Sequence, residues 1–217
     1  MERSMRRTRV VPIVVAIAAL IVIYIEVIRP RTMRWGATDE EVARVLPGDG
    51  LVRGRCYSAT RAITIGAPAR FVWPWLVQMG SGRAGWYAID QLDNAGVPSA
   101  ESVLPWFQNL RVGDLVPMAV DEEVGPRVKE IEPERRLLLW NEEDGFTWEW
   151  VLDPIDERAT RLISRIREAY PPLLSKRMPY AIVASAGDIV MIHRQLKGIK
   201  ARAERLFAST AGSEVAV

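Results

Sequence analysis

The longest hydrophobic pattern of the chain lies over residues 179–207. Apolar residues recur there every seven positions and again three positions further on, which is typical of one face of a helix. Residues 181–192 are apolar on almost every side, whereas basic residues occupy the opposite face from His193 onward. A coiled-coil seam is the alternative, but its flanking positions lack a charge-pairing set. The pattern therefore predicts a long helix packed within its own domain. The stripe consists of Ile182, Ser185, Ile189, Ile192, Leu196, Ile199, Ala203 and Leu206.

A second pattern, of period two, precedes this helix. Residues 146–152 alternate large apolar with polar side chains, and residues 160–170 do the same after a short link. Alternation on both strands of a hairpin indicates an antiparallel sheet with one covered face. In all, the pattern predicts about five or six antiparallel strands. The further candidate strands are residues 58–65, 114–119, 127–131 and 136–141.

Between the first strand and the others, residues 69–79 predict a helix with an apolar face. The glycine-rich stretch 80–85 follows it, but this stretch lacks the preceding strand and the Lys-Ser/Thr pair of a phosphate-binding loop. Residues 86–94 read as a short helix or an irregular segment. A run of strands that ends in a long helix indicates an α+β fold.

The N-terminal part predicts a membrane anchor. Residues 1–9 are basic, and residues 10–28 form a nearly uninterrupted apolar run, which is about the length of a membrane-spanning helix. A cleaved signal peptide is the competing interpretation, but no small-residue cleavage site follows the run. The expected organisation is a transmembrane anchor at 1–28 in a single-pass membrane protein of undetermined orientation. A linker with a short helix would follow at 29–57, then a domain at 58–208 and a flexible tail at 209–217.

Composition narrows the classes of function. The chain has 217 residues, 49% of them hydrophobic, which is enough for a core. A net charge of only +2 argues against nucleic-acid binding. A single cysteine excludes an internal disulfide, and a single histidine argues against a histidine-based metal site. We therefore expect neither a metal nor an organic cofactor.

Several short motifs together resemble the START-like, or SRPBCC, superfamily, which includes polyketide cyclase-like and lipid-transfer proteins. The resemblance covers about residues 34–206 and is closest to a bacterial subgroup with an N-terminal membrane segment. It implies a helix-grip fold, in which a curved antiparallel sheet wraps a long C-terminal helix, with an apolar cavity between them. The motifs are the segments 62–68, 72–80, 82–87, 110–114, 146–148 and 191–204.

The resemblance leads us to expect a membrane-anchored domain that binds a hydrophobic small molecule or lipid. Two alternatives stay open: a polyketide cyclase or aromatase-like enzyme that uses Tyr87, Asp90 and His193, or an interaction module with a filled core and no ligand. None of the motifs is a catalytic signature, and no catalytic residue is assigned. The candidate pocket residues are Trp86, Tyr87, Asp90, Trp148, Trp150, Ile189 and His193.

Overall fold

The centre of the protein is a five-stranded antiparallel sheet with the strand order β1-β5-β4-β3-β2. The computed structural model describes residues 15, 19, 23–119, 124–170 and 178–214. The strands are β1 Cys56–Ile65, β2 Arg127–Glu132, β3 Arg136–Asn141, β4 Phe146–Asp156 and β5 Ala159–Ala169. The α-helices are α1 Arg29–Met33, α2 Asp39–Ala43, α3 Ala69–Val77, α4 Asp90–Asp93 and α5 Met178–Glu214. Short 3-10 helices span Pro47–Gly50 and Pro105–Phe107, and a π-helical turn spans Tyr24–Ile28.

Helix α5 packs against the inner face of the sheet, as the hydrophobic stripe predicts. Ile192, Leu196 and Ile199 are buried in the same apolar cluster as the inward side chains of β4 and β5. Their burial removes apolar surface from water and provides the main driving force for this packing. The predicted α+β helix-grip fold is thus confirmed in its sheet and its C-terminal helix.

The segment 114–119 differs from the prediction of a strand. Only Leu115 forms a bridge, to Arg127, and Val116 and Met118 donate backbone hydrogen bonds to residues 124–126. Pro117, between them, faces the other way, where its carbonyl oxygen accepts a hydrogen bond from the Ser81 N–H. Residues 114–119 therefore form an irregular extension of the sheet beyond β2.

The outer face of the sheet is covered as well, which the alternation on β4 and β5 did not predict. Residues 38–50, here called the outer segment, lie across it and leave Glu149 and Arg165 only 1% and 4% exposed. The outer segment contains the predicted short helix, α2, which begins with a capping box between Thr38 and Glu41. What the sequence shows as a polar sheet face is therefore a buried polar interface.

The prediction of a single-pass membrane protein is wrong on this structure. Most of residues 10–22 lie outside the described residues; within the part that is described, no helix is both long and apolar enough to cross a bilayer. The end of the apolar run instead leads into α1, where the Arg29 guanidinium donates to the Tyr170 hydroxyl at 2.8 Å and lies over the ring of Tyr57. The residues after the run are thus attached directly to the sheet.

Candidate functional site on the inner face of the sheet

One row of side chains across the inner face combines apolar and polar groups. Leu137, Trp150, Ser164 and Arg61 are successive partners on β3, β4, β5 and β1. Each is at most 2% exposed. An arginine on a fully buried row is unusual because a guanidinium loses much hydration free energy when it leaves water. The row is therefore the strongest candidate for a binding site in the described structure.

Arg61 is held in the row by polar groups at one end of the sheet. Its Nε donates to the Thr32 carbonyl oxygen at 2.9 Å, and its Nη2 donates to the Tyr57 hydroxyl at 3.1 Å. Thr32 belongs to α1, so the segment before the sheet fixes the guanidinium in place. These bonds offset part of the cost of burying the guanidinium.

Three of the predicted pocket residues are brought together beside this row. The rings of Trp86 and Trp148 stack with centroids 5.2 Å apart, and those of Trp148 and Trp150 lie 5.1 Å apart. The indole N–H of Trp148 donates to the Ser164 hydroxyl at 2.9 Å, and that of Trp86 donates to the Ser81 hydroxyl at 3.2 Å. The tryptophans thus form a continuous aromatic surface with two of its polar groups satisfied.

The indole N–H of Trp150 is different, because it has no hydrogen-bond partner although the residue is fully buried. Trp75 Nε1 is in the same situation on α3. A buried donor without an acceptor costs about 1–3 kcal/mol and calls for an explanation. Of the two, only Trp150 lies in the row with Arg61, so its N–H is the natural donor to an oxygen atom of a bound molecule.

Tyr87 and Asp90 are placed in a contact between a loop and α5. The Tyr87 hydroxyl donates to the Trp75 carbonyl oxygen at 3.1 Å, and its N–H donates to the Ser99 hydroxyl, which in turn donates to Asp90. The Arg202 guanidinium of α5 lies 4.7 Å from the centre of the Tyr87 ring. Burial raises the pKa of Tyr87 far above its usual value, so the phenol stays protonated. These contacts give both residues a positioning role in the fold.

The remaining two candidates lie on α5 and are partly buried. The His193 ring lies 4.2 Å from the Trp35 ring, and its buried Nε2 has no hydrogen-bond partner. Burial, followed by the positive charges of Lys197 and Arg194, lowers the pKa of His193 below its ordinary value, so it is neutral at pH 7. Ile189 is half-buried one helical turn before it. In the described part of the chain, no hydrogen bond, ion pair or ring contact joins His193 to Tyr87 or Asp90.

Arg61 and Tyr57 were missed by the sequence analysis. Both lie on the same side of β1 as Ile63 and Ile65, whose alternation marks the inner face. The sequence did contain a signal for Arg61, because a charged residue there occupies a position that the alternation assigns to the core. Within the described residues, no cluster of three or more His, Cys, Asp or Glu side chains could hold a metal ion.

Asp93, next to this loop, gives the protein a measurable pH dependence. Burial, together with the nearby charge of Asp90, raises the pKa of Asp93 from 3.8 to about 6, against the opposing effect of the hydrogen bond from Ile89 N–H. Between these two values the folded protein binds more protons than the unfolded chain, so we expect the free energy of unfolding to fall as the pH rises from about 4 to 6. Asp93→Asn should flatten this slope in urea titrations at pH 4, 5, 6 and 7. The exposed Glu143→Gln variant should keep it, and equal slopes for Asp93→Asn and the wild type would contradict the assignment.

The fold and its buried row define a helix-grip protein with a polar site in an aromatic core. No protein-family model and no curated protein matches the sequence. Solved structures do match in fold. A polyketide_cyc-like protein of Corynebacterium glutamicum is 16% identical, with a TM-score of 0.43, over 68% of this chain and 91% of its own.

Two further matches are proteins of Streptomyces and Micromonospora. The aromatase/cyclase ZhuI of Streptomyces sp. R1128 is 11% identical, with a TM-score of 0.34, over 70% of this chain and 95% of its own. The self-sacrificing resistance protein CalC of Micromonospora echinospora is 9% identical, with a TM-score of 0.40, over 70% of this chain and 96% of its own. Polyketide cyclase-like structures are thus among the solved structures to which the chain is similar. The narrower subgroup with an N-terminal membrane segment is not represented in these matches. Such distant similarities transfer no activity, and the functional argument rests on the row itself.

Proposed function

We propose that the protein binds a hydrophobic small molecule that carries a carbonyl or carboxylate group, between the inner face of the sheet and α5. The observation that carries this proposal is the buried Trp150 N–H without an acceptor. A ligand oxygen at this position would satisfy it, and the tryptophan rings would contact an apolar ligand body.

Arg61 places a second polar group on the same row. Its guanidinium lies two strands away from Trp150, which corresponds to about 10 Å across a sheet. A ligand of moderate length can therefore place oxygen atoms near both groups.

Ligand entry requires movement, because the row is closed in this structure. Trp150 is 0% exposed and Trp148 is 5% exposed, so a ligand reaches them only when side chains of the core separate. Binding that depends on such a change is slower than the usual 10⁵–10⁷ M⁻¹s⁻¹ of preformed sites. The second candidate function is an interaction module with a filled core, since such a module would show the same close packing.

A cyclase-type reaction is not part of the proposal. It needs an acid or base directed at a substrate. Two of the three candidates for that role are engaged elsewhere, Tyr87 with Trp75 and Asp90 with Ser99. The third, His193, lies against the Trp35 ring, and its Nε2 has no hydrogen-bond partner. Binding without a reaction requires nothing more than the row and the aromatic surface.

The test uses the full chain and the fluorescent probe 11-(dansylamino)undecanoic acid, with its methyl ester for comparison. We expect saturable binding of the acid, and weaker binding of the ester because a carboxylate is a stronger acceptor than an ester oxygen for the Trp150 N–H. Trp150→Phe should raise the Kd of the acid about 10-fold, which corresponds to one hydrogen bond to a charged group. Trp106→Phe, at a position that is 69% exposed, is the matched control and should leave the Kd within a factor of two.

Two outcomes would overturn the proposal in different ways. If the wild type and Trp150→Phe bind the acid with equal Kd, the indole N–H of Trp150 does not contact the ligand. No saturable binding of either probe by the folded wild type would favour the interaction module with a filled core.

A further inference from the structure

Glu149 is a buried carboxylate on the side of the sheet opposite to the proposed ligand site. It lies on β4 beneath the outer segment, and its side chain is 2% exposed. Its Oε2 accepts a hydrogen bond from the Gly48 N–H at 3.0 Å. Its Oε1 is also buried but has no hydrogen-bond partner among the described residues. A buried ionised carboxylate is costly unless it is paired and hydrogen-bonded, so the charges around Glu149 decide its protonation state.

The guanidinium of Arg136 approaches Glu149 but is shared with two other acids. Its Nη1 lies 3.8 Å from Glu149 Oε1, which is beyond hydrogen-bond distance. Its Nη2 lies 3.0 Å from the Glu130 carboxylate and also pairs with Glu132. One positive charge therefore faces three carboxylates, and Glu149 has the longest contact of the three.

The second neighbouring cation, Arg165, is bonded to other groups. It is the direct partner of Glu149 between β4 and β5. Its guanidinium donates to the Thr60 hydroxyl, to the Asp49 carboxylate and to carbonyl oxygens of residues 41–44. Within the described residues, none of its hydrogen bonds goes to Glu149. Since the charge of Arg165 is matched by that of Asp49, Glu149 has no cation of its own.

Asp49 brings a second carboxylate oxygen without a donor to the same contact. It follows Gly48 directly, and its Oδ2 accepts from Arg165 at 2.8 Å. Its Oδ1 lies 3.3 Å from Arg167 Nη1, yet it is buried and has no hydrogen-bond partner in the described part of the chain. The sheet and the outer segment thus each contribute one such oxygen. Two neighbouring carboxylates favour the binding of a proton, because it removes one negative charge and adds one donor.

We propose that Glu149 holds a proton while the outer segment is packed on the sheet, and that loss of this proton at higher pH loosens residues 38–50. The contact between Glu149 and residues 48–49 is then a pH-sensitive switch. In the neutral form, Glu149 Oε1 carries a hydrogen and supplies a donor where two acceptors lack one. In the ionised form, the carboxylate regains hydration only when the outer segment moves away. The switch is independent of the proposed ligand site on the inner face.

The electrostatic balance at Glu149 supports this direction. Burial raises the pKa of Glu149 above its ordinary value of 4.5, and the charge of Asp49 contributes to the rise. The Gly48 N–H and the charges of Arg136 and Arg165 oppose it without cancelling it. A carboxyl with a raised pKa stabilises the packed state fully below pH 4.5, and this stabilisation is lost as the pH rises through the higher pKa.

The ion pair of the outer segment with β5 has the opposite pH dependence. The hydrogen bond from Arg161 lowers the pKa of Glu41 below its ordinary value of 4.5. Its contribution is therefore complete above pH 4.5 and is lost only as the pH falls below that value. Measurements between pH 5 and pH 8 thus report Glu149 without interference from Glu41.

Hydrogen exchange of the full chain over this range tests the switch, with rates corrected for the intrinsic effect of pH. In the wild type we expect the protection of residues 38–50, above all of the Gly48 amide, to fall roughly 3-fold or more from pH 5 to pH 8. Glu149→Gln supplies an N–H donor at every pH, so its protection should stay constant. Glu157→Gln, at an exposed glutamate between β4 and β5, is the matched control and should keep the wild-type dependence.

A second measurement needs no variant. The ¹³C chemical shift of the Glu149 carboxyl carbon in the wild type should titrate above pH 4.5. Three outcomes would overturn the inference: constant protection of residues 38–50 in the wild type, a wild-type pH dependence in Glu149→Gln, or titration of the Glu149 carboxyl at or below pH 4.5. Asp93 does not affect the comparison, because the wild type and Glu149→Gln share it.

Discussion

Arg165→Met is expected to lower the free energy of unfolding by about 3–5 kcal/mol, the usual cost of removing one partner from a buried ion pair. Arg165 is 4% exposed, and all three of its guanidinium nitrogens donate hydrogen bonds, two of them to the outer segment. Its Nε donates to the Thr60 hydroxyl, and its Nη1 donates to the Asp49 carboxylate and the Arg44 carbonyl oxygen. Methionine keeps most of the side-chain length but leaves these acceptors without a donor.

Urea denaturation at pH 7 measures this loss, and hydrogen exchange locates it. Exchange should accelerate in residues 38–50 more than in α5, because the outer segment loses its central contact. Arg111→Met is the control at an exposed position and should remain within 0.5 kcal/mol of the wild type. A loss below about 1 kcal/mol for Arg165→Met would show that the outer segment is held mainly by its other contacts.

Gly198→Ala is expected to destabilise the protein by about 2–3 kcal/mol, although alanine is the better helix former by about 1 kcal/mol. At Gly198, α5 passes directly over the backbone of Tyr87. A Cβ there would fall well inside contact distance of the Tyr87 carbonyl oxygen and 2.8 Å from its Cβ. Tyr87 cannot retreat easily, because its φ of +60° and its bond to Ser99 fix the loop.

Two variants calibrate this effect in thermal or urea unfolding. Gly50→Ala adds a Cβ where no heavy atom lies within 4 Å, so it should be neutral or slightly stabilising. Ala201→Gly, on the exposed side of α5, measures helix propensity alone and should cost about 1 kcal/mol. If Gly198→Ala proves as stable as the wild type, α5 does not depend on close approach to the loop.

The sheet and its inner face could be predicted from the sequence, because apolar and polar residues alternate along each strand. Trp148 and Trp150 fell on the inward side of β4, and Ser164 on that of β5, as the period of two indicates. Gly198 is a glycine inside a predicted helix, a pattern that favours close approach to another backbone. Its partner Tyr87 could not be identified, since it lies more than a hundred positions earlier in the chain and no local pattern connects them.

The buried charges are where sequence reasoning failed. Arg161, Arg165 and Arg167 alternate with apolar residues as a solvent-facing strand side would, and nothing within β5 reveals that residues 38–50 cover them. Arg61 was passed over for the opposite reason, since it occupies an inward position where an apolar residue was expected. In both cases the deciding partners come from the segment before the sheet, which we expected to be a linker.

The cover of the outer face also sets an order of events during synthesis. Glu41 pairs with Arg161, which lies 120 residues later in the chain. At 5–20 residues per second, the ribosome needs roughly 6–24 s to make this stretch. Strand β5 also provides the partner of β1, so both β1 and the outer segment wait for it. The nascent chain therefore carries the unpaired strand β1 and the unpaired charges of the outer segment for many seconds. At this stage it exposes the most surface to which chaperones can bind.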